Sequence, residues 1–304
     1  MEKHRETKKQ NIIPLKDLNL TNRFLFDEVM EDPQTHQDAL SIIFGKELSL
    51  LTKNETEKEL RVSPLLRSIR MDVYSMDMDK TIYNTEMQEQ RKTDLAKRSR
   101  FYQSLIDSGL LEPGVPNYNL LNNSYIIIIM PFDLFGYKKY VYTFEPKCQE
   151  VPGLVLKDGA ARIFLNIHGE NDNEVSQELR DFLHYLENTT DQMVASSDSE
   201  RIQRIHNRVC KVKQNEEVGV RYMQAWEEKY YEREEGREEG IAEGRMRTLV
   251  EKVCKKIKKN CSVAEIADML EEEESTIQII YETAKAFAPD YNVTDIMNAL
   301  PNDK

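Results

Sequence analysis

The sequence predicts an α/β fold in which a mixed sheet is flanked by helices and followed by an α-helical C-terminal extension. Three stretches carry that expectation. Ser68–Met76 and Thr81–Gln88 are β-rich runs on either side of a polar turn, Asp77-Met78-Asp79-Lys80, and read as a hairpin. Tyr125–Met130 contains four consecutive isoleucines and reads as a strand buried on both faces, the centre of a sheet. From Asn173 onwards the pattern is helical.

Composition sets the outer bounds. A chain of 304 residues allows one large or two modest domains. Hydrophobic residues make up 39% and charged residues 32%, a globular but heavily solvated balance. No apolar run approaches the roughly 18–20 residues of a membrane span, and MEKHRETKKQN lacks the apolar core of a signal peptide. Cys148, Cys210, Cys254 and Cys261 show neither CxxC spacing nor a paired-histidine motif, so spacing indicates neither zinc nor a disulfide scaffold. A reducing, cytoplasmic setting is expected. The net charge of −12 argues against a uniformly basic coat for nucleic acid and leaves any such binding to local fields.

Taken in order, residues 1–13 read as a polar, disordered leader. Two helices are expected between Asn22 and Leu50, the first carrying Phe24, Leu25, Glu28 and Val29 and stopping near Asp32-Pro33. The second carries Leu40, Ile42, Ile43 and Phe44 and ends near Gly45. A hairpin centred on Asp79 pairs positions whose numbers sum to 158, which sets Asp72 opposite Glu86 and Arg70 opposite Gln88. Side chains alternate along a strand, so Asp72, Glu86 and Gln88 share one face, and Met71, Val73, Thr85 and Met87 share the other, the expected core side. Directly opposed residues sit roughly 4.5–5.5 Å apart at Cβ. Two carboxylates at that distance need a shared proton, a basic neighbour or a bound divalent cation. Hard oxygen ligands on a rigid sheet suit Mg²⁺ or Mn²⁺. The competing reading is a merely polar, exposed hairpin face on which Arg70 neutralises the two acids.

After the hairpin, RKTDLAKRSRFYQSLIDSG reads as a helix stopped at Gly109, with Leu95, Phe101, Leu105 and Ile106 as its apolar set. Arg91, Lys92, Lys97, Arg98 and Arg100 face a single acid, Asp94. Arg98 and Tyr102 are four apart and share a helix face. With Arg91 they make a candidate phosphate clamp, arginine for bidentate oxygen contacts and tyrosine as hydroxyl donor. The plainer alternative pairs Arg98 with Asp94. Tyr137–Phe144 reads as an edge strand and Ala161–Ile167 as a buried one, closed by His168-Gly169, where a histidine is more often incidental than catalytic.

Val175–Leu186 reads as an amphipathic helix, Thr189–Ser199 as a polar connection, and Ile202–Tyr231 as one long helix. Glutamates dominate Glu227–Glu243, and Gly236, Gly240 and Gly244 recur every four residues on one helical face. That face suits either close helix–helix contact in a homodimer or a solvated, partly frayed linker, the glycines favouring the latter. Ser262 and Glu265 form a capping box that opens a helix-turn-helix-like tail, with its second helix over Thr276–Phe287. Glu271, Glu272, Glu273, Glu274 and Glu282 set against Lys285 make it a poor reader of a DNA groove.

The pattern Asp72-x13-Glu86-x-Gln88 resembles the PD-(D/E)xK nuclease superfamily, in which an Asp and a Glu-x-Lys lie on adjacent strands. Gln88 in place of lysine resembles the branch of recombination-promoting nucleases and transposase-like proteins. LKDLNLTNRFLFDEVMEDP, RSRFYQSLI, YIIIIMPFD and ARIFLNIHG look like the same branch, so the resemblance spans roughly residues 14–250. It implies a restriction-endonuclease-like core and the division 1–13 leader, 14–200 nuclease-like domain, 201–245 long charged helix or linker, 246–304 helical tail. It also implies a metal-dependent DNA endonuclease with Asp72 and Glu86 as metal ligands, Gln88 as the third catalytic residue and DNA as partner. The superfamily's first helix often supplies a further acid. Asp27 and Glu28 are the candidates, while Asn22 stands where relatives commonly show Asp. The alternative function is a weak or silent nuclease-fold scaffold that works through its acidic tail.

Overall fold

The computed structural model describes residues 12–48, 55–60, 69–110, 114 and 116–301. Helix α1, Arg23–Met30, starts where Asn22 can cap it, the asparagine side-chain oxygen accepting the Leu25 N–H at 3.3 Å. Helix α2, Pro33–Phe44, is capped by Asp32 with Pro33 in its first turn. It closes on Gly45 at φ +62°, a left-handed position that an L side chain resists. The two expected helices therefore form within a residue or two of their punctuation.

Six strands make one mixed sheet: β1 Glu55–Leu60, β2 Ile69–Met76, β3 Ile82–Met87, β4 Ser124–Met130, β5 Val141–Phe144 and β6 Ala160–Asn166. Their order across the sheet is β1-β2-β3-β4-β6-β5, with β3–β4 and β4–β6 parallel and the other pairs antiparallel. The hairpin register is the expected one, Val73 with Thr85, Tyr74 with Asn84, Ser75 with Tyr83 and Met76 with Ile82. Asp77 locks the turn by accepting the Thr81 N–H at 2.9 Å and the Tyr83 hydroxyl at 2.8 Å. The isoleucine run of β4 splits between two cores: Ile127 and Ile129 face one side, Ile126 and Ile128 the other. Each such fully buried side chain contributes about 1.5–3 kcal/mol, so this strand anchors the sheet.

Helix α3, Leu95–Ser108, is the crossover between parallel strands β3 and β4. It covers one face through Leu95, Tyr102, Leu105 and Ile106. The other face packs on α1, α2, α4 (Gln177–Glu187) and α6 (Glu200–Gln214) through residues such as Phe26, Leu40, Phe182 and Ile205. Both faces of the hairpin are thus covered, which corrects the competing reading of a merely polar, exposed face and makes the expected core side one of two. Asp72, Glu86 and Gln88 are all buried beneath α3 and the α1 N-terminus. Met71 also departs from simple alternation and joins the cluster under α3, away from Val73. Arg70 lies on β2, but its side chain falls outside the described part.

Other expectations need revision. Strand β1 was not foreseen; its residues ETEKEL are too polar to signal a strand, as suits an edge. The polar connection after α4 holds a short helix, α5, Asp191–Ala195. The single long helix divides at Asn215, whose side chain accepts the Glu217 N–H at 2.9 Å and restarts the chain as α7, Glu216–Ile257. Helix α7 continues through Gly236, Gly240 and Gly244, so that stretch is helix and not frayed linker; a Cβ at any of the three would meet nothing within 4 Å. The expected leader ends in contact with the core, where Ile12 packs and the Ile13 carbonyl accepts the Tyr222 hydroxyl at 2.8 Å; residues 1–11 lie outside the described part.

The chain divides into two compact units, Met1–Met223 and Gln224–Lys304. The second has its own small core, in which Val250, Val253 and Ile257 of α7 pack with residues of α8 (Val263–Leu270), α9 (Glu274–Lys285) and α10 (Val293–Ala299). The Ser262–Glu265 capping box forms as expected, the Glu265 carboxylate accepting the Ser262 N–H at 2.7 Å. No helix among the described residues is long and apolar enough to cross a membrane.

Candidate active site

In parallel-strand architectures the carboxyl ends of strands face the crevice where ligands bind. Glu86, Met87 and Gln88 occupy that end of β3. The hairpin register, continued one step past Val73–Thr85, brings Asp72 to Glu86. The ladder itself stops at Val73, and its next hydrogen bond is replaced by a side chain. Gln88 donates its N–H to the Ile129 carbonyl of β4 at 2.9 Å, so the Met87 N–H faces β2. There the Asp72 Oδ2 accepts it, at 3.2 Å, in place of a strand carbonyl. This interruption holds the Asp72 carboxylate at the strand edge.

Two arginines meet the two acids. Arg23, the first residue of α1, pairs with Asp72 and lies 3.5 Å from Asp27. Its own N–H donates to Glu89 Oε1 at 2.6 Å, placing an acid at the positive end of α1 and tying that helix to the end of β3. Arg98 donates to Glu86 Oε2 at 3.3 Å and to Gln88 Oε1 at 2.6 Å, and stands 5.6 Å over the Tyr102 ring. Gln88 in turn donates to the Gln90 carbonyl at 2.6 Å, which fixes its amide orientation with the oxygen toward Arg98. On the other side of Glu86, Asn84 Nδ2 donates to Oε1 at 3.2 Å.

Burial raises the Glu86 carboxyl first, and the Asp72 charge adds to it; Arg98, Asn84 and Arg23 pull back. The outcome is a carboxyl pushed up to about 8. The distances agree with that charge state, because Arg98 sits closer to the Gln88 amide oxygen than to Glu86. Arg23 pairs with Asp72, and Glu86 is the acid whose carboxyl burial raises. Burial, then Glu86, pushes the Tyr102 hydroxyl up to about 12, so it stays a neutral donor.

Of the residues singled out from sequence, Asp72, Glu86, Gln88, Arg98 and Tyr102 come together. Arg91 does not join them; it is exposed in the turn between β3 and α3. Arg98 pairs with Glu86 and not with Asp94, whose carbonyl merely accepts its helical N–H. Asn22 is a helix cap, Glu28 is held by Arg221, and Asp27 is buried beside Arg23. His168 is exposed and bonds to Glu187 at 3.0 Å. Sequence reasoning missed Arg23 and Asn84. Arg23 lies in a stretch the family pattern highlights, but nothing local to it announces a partner on β2. Asn84 sits two residues before Glu86 on the same strand face, and that spacing could have found it.

The donor set fits a hard divalent cation. Two carboxylates and an amide oxygen converge, and Asn84 Oδ1, buried at their side, has no hydrogen-bond partner. The site is thus a pair of buried acids and their arginines at the end of a strand in a mixed sheet. A family model described as PD-(D/E)XK nuclease family transposase matches residues 45–237, more than half of the chain, and the chain belongs to that family. No curated protein and no solved structure matches it.

Proposed function

We propose that the protein is a divalent-metal-dependent endonuclease that hydrolyses DNA phosphodiesters at Asp72, Glu86 and Gln88. The observation that carries this reading is the buried Asp72–Glu86 pair, whose ionisation burial and mutual repulsion oppose and whose charges are met by two cations, Arg23 and Arg98. Asp72, Glu86 and the Gln88 amide oxygen would hold Mg²⁺ or Mn²⁺, which supplies Lewis-acid polarisation of a phosphoryl oxygen and a more acidic bound water. Arg98 donates hydrogen bonds to both Glu86 and Gln88. Released from Glu86, it can present its guanidinium to phosphate oxygens and supply the positive charge that an amide at position 88 lacks. The neutral Tyr102 hydroxyl, one helical turn on, is a second donor. Arg91, on the exposed turn, would contact the backbone of longer DNA.

In this reading the C-terminal unit is an interaction module, and the open glycine face of α7 is where a second copy would dock; the mass of the purified protein in solution tests that directly. Cleavage of supercoiled plasmid in Mg²⁺ or Mn²⁺, run beside Asp72→Ala and Glu86→Ala, tests the reading as a whole. The expected result is metal-dependent nicking lost in both variants. Equal activity in all three proteins places catalysis elsewhere, and a folded but inactive wild type favours a scaffold acting through its acidic tail.

A further inference from the structure

Away from the carboxylate pair, α4, α5 and α6 bring together a second set of donor atoms. Asp191 Oδ1 lies 2.8 Å from His206 Nε2, and Cys210 Sγ lies 3.4 Å from that same nitrogen. One ligand atom from each residue falls within 4.8 Å of the others. His206 and Cys210 are four apart on α6 and so share a face. Asp191 is the first residue of α5. Behind the imidazole, the hydroxyl of buried Tyr185 sits 2.8 Å from His206 Nδ1. Neither a CxxC nor a paired-histidine pattern announces this group, because its third member comes from another helix.

Two chemistries use a Cys/His/Asp group. In a nucleophilic relay the thiol and the carboxylate take opposite ring nitrogens, so that the imidazole accepts a proton at one while the other is held. Here both converge on Nε2, and Nδ1 belongs to Tyr185. Convergence on one point is the arrangement of ligands around an ion. With zinc bonds of about 2.0–2.3 Å in a tetrahedron, neighbouring ligand atoms lie roughly 3.3–3.6 Å apart. The Sγ–Nε2 separation already has that value, the carboxylate needs to withdraw from Nε2 by about half an ångström, and all three ligand atoms start within 4.8 Å of one another.

We propose that Asp191, His206 and Cys210 form a zinc-type transition-metal site that clips α5 to α6, with its fourth position open to water. Thiolate and imidazole select a borderline-soft ion over Mg²⁺, so this site differs in kind from Asp72 and Glu86. As the sulfur–metal bond forms, the Cys210 thiol loses its proton to solvent. The Nε2 lone pair takes the metal while the ring proton rests on Nδ1, where the Tyr185 oxygen accepts it and fixes the ring. Asp191 is 96% exposed and His206 only 11%, so the ion can enter from solvent onto an imidazole already held in place.

Titration of the full chain with Co²⁺ alone tests the site. A thiolate ligand gives a sulfur-to-cobalt charge-transfer band in the near ultraviolet, which oxygen ligands such as Asp72 and Glu86 cannot produce. The expected result is one equivalent of band-forming cobalt, displaced by Zn²⁺. The band should vanish in Cys210→Ser and persist in Cys148→Ser, and Asp191→Asn should weaken cobalt binding at least tenfold. Substitution at exposed Asp191 leaves the core untouched, and circular dichroism verifies the fold of each variant. No band in folded wild type at saturating cobalt, or a band that survives Cys210→Ser, overturns the assignment.

Discussion

Replacing Glu86 with glutamine should abolish a pH dependence of stability that the buried carboxyl imposes on the metal-free protein. The folded carboxyl is pushed up to about 8, against an ordinary value of 4.5. For an acid raised in this way, the unfolded chain releases its proton first, so the folded state binds more protons throughout the interval between the two values. Stability is then highest below 4.5 and falls as pH rises towards about 8. Each pH unit in that window costs up to about 1.4 kcal/mol, and between about pH 5 and pH 8 the loss sums to about 3 kcal/mol. Glutamine carries no charge to suppress. Its amide N–H can donate to the idle Asn84 Oδ1 once the asparagine turns over, as the O–H of the protonated carboxyl can, so the two side chains are equivalent at low pH. Thermal unfolding in a chelator is the assay. The variant should match wild type near pH 5 and melt about 6–12 °C higher near pH 8, taking about 2–4 °C per kcal/mol for a unit of this size. Saturating Mg²⁺, which favours the ionised carboxylate, should flatten the wild-type slope and leave that of the variant unchanged. A gap between the two proteins that is the same at both ends of the range would refute the protonated, desolvated Glu86.

Three further outcomes follow from named contacts. Arg98→Ala should lower plasmid cleavage at least tenfold without weakening Mg²⁺ binding measured by calorimetry, since the guanidinium competes with the metal for Glu86 and serves the phosphate; weaker Mg²⁺ binding in the variant would contradict that division of labour. Gly169→Ala should destabilise the first unit by about 1–3 kcal/mol in denaturant unfolding, because a Cβ there runs into the buried Tyr140 ring. Ile277→Ala, at a fully buried position of the C-terminal core, should cost about 2–5 kcal/mol. Its loss should appear in hydrogen exchange of α8, α9 and α10 and leave the amides of β4 unchanged, if the two units hold separate cores.

Much of the architecture was legible because its signals are local. Asn22, Asp32-Pro33 and Gly45 punctuate α1 and α2, the Asp77 turn sets the hairpin register, and an isoleucine run that cannot lie half in water must be a central strand. Strand β1 and the break at Asn215 escaped for the same reason in reverse. A polar edge strand has no hydrophobic period, and an asparagine in a helical stretch signals a restart only when its side chain is seen to cap the next turn.

The candidate site divides along similar lines. Asp72, Glu86 and Gln88 could be read from a strand period of two and a turn of known centre, and Arg98 with Tyr102 from a helical period of four. What lies between those elements could not. Whether Arg98 answers Asp94 or Glu86 depends on how α3 crosses the sheet. The partnership of Arg23 with Asp72 depends on α1 docking its N-terminus against the end of β3. The convergence of Asp191 on His206 and Cys210 depends on where a five-residue helix settles beside α6. Sequence by itself determined which ionisable groups are present and that Asp72, Glu86 and Gln88 fall on one strand face and Arg98 with Tyr102 on one helix face, because both follow from residue type and backbone period. Only the tertiary structure decided which charges meet and how deeply they are buried, and therefore which carboxyl keeps its proton, because desolvation and pairing energies belong to contacts between elements far apart in the chain.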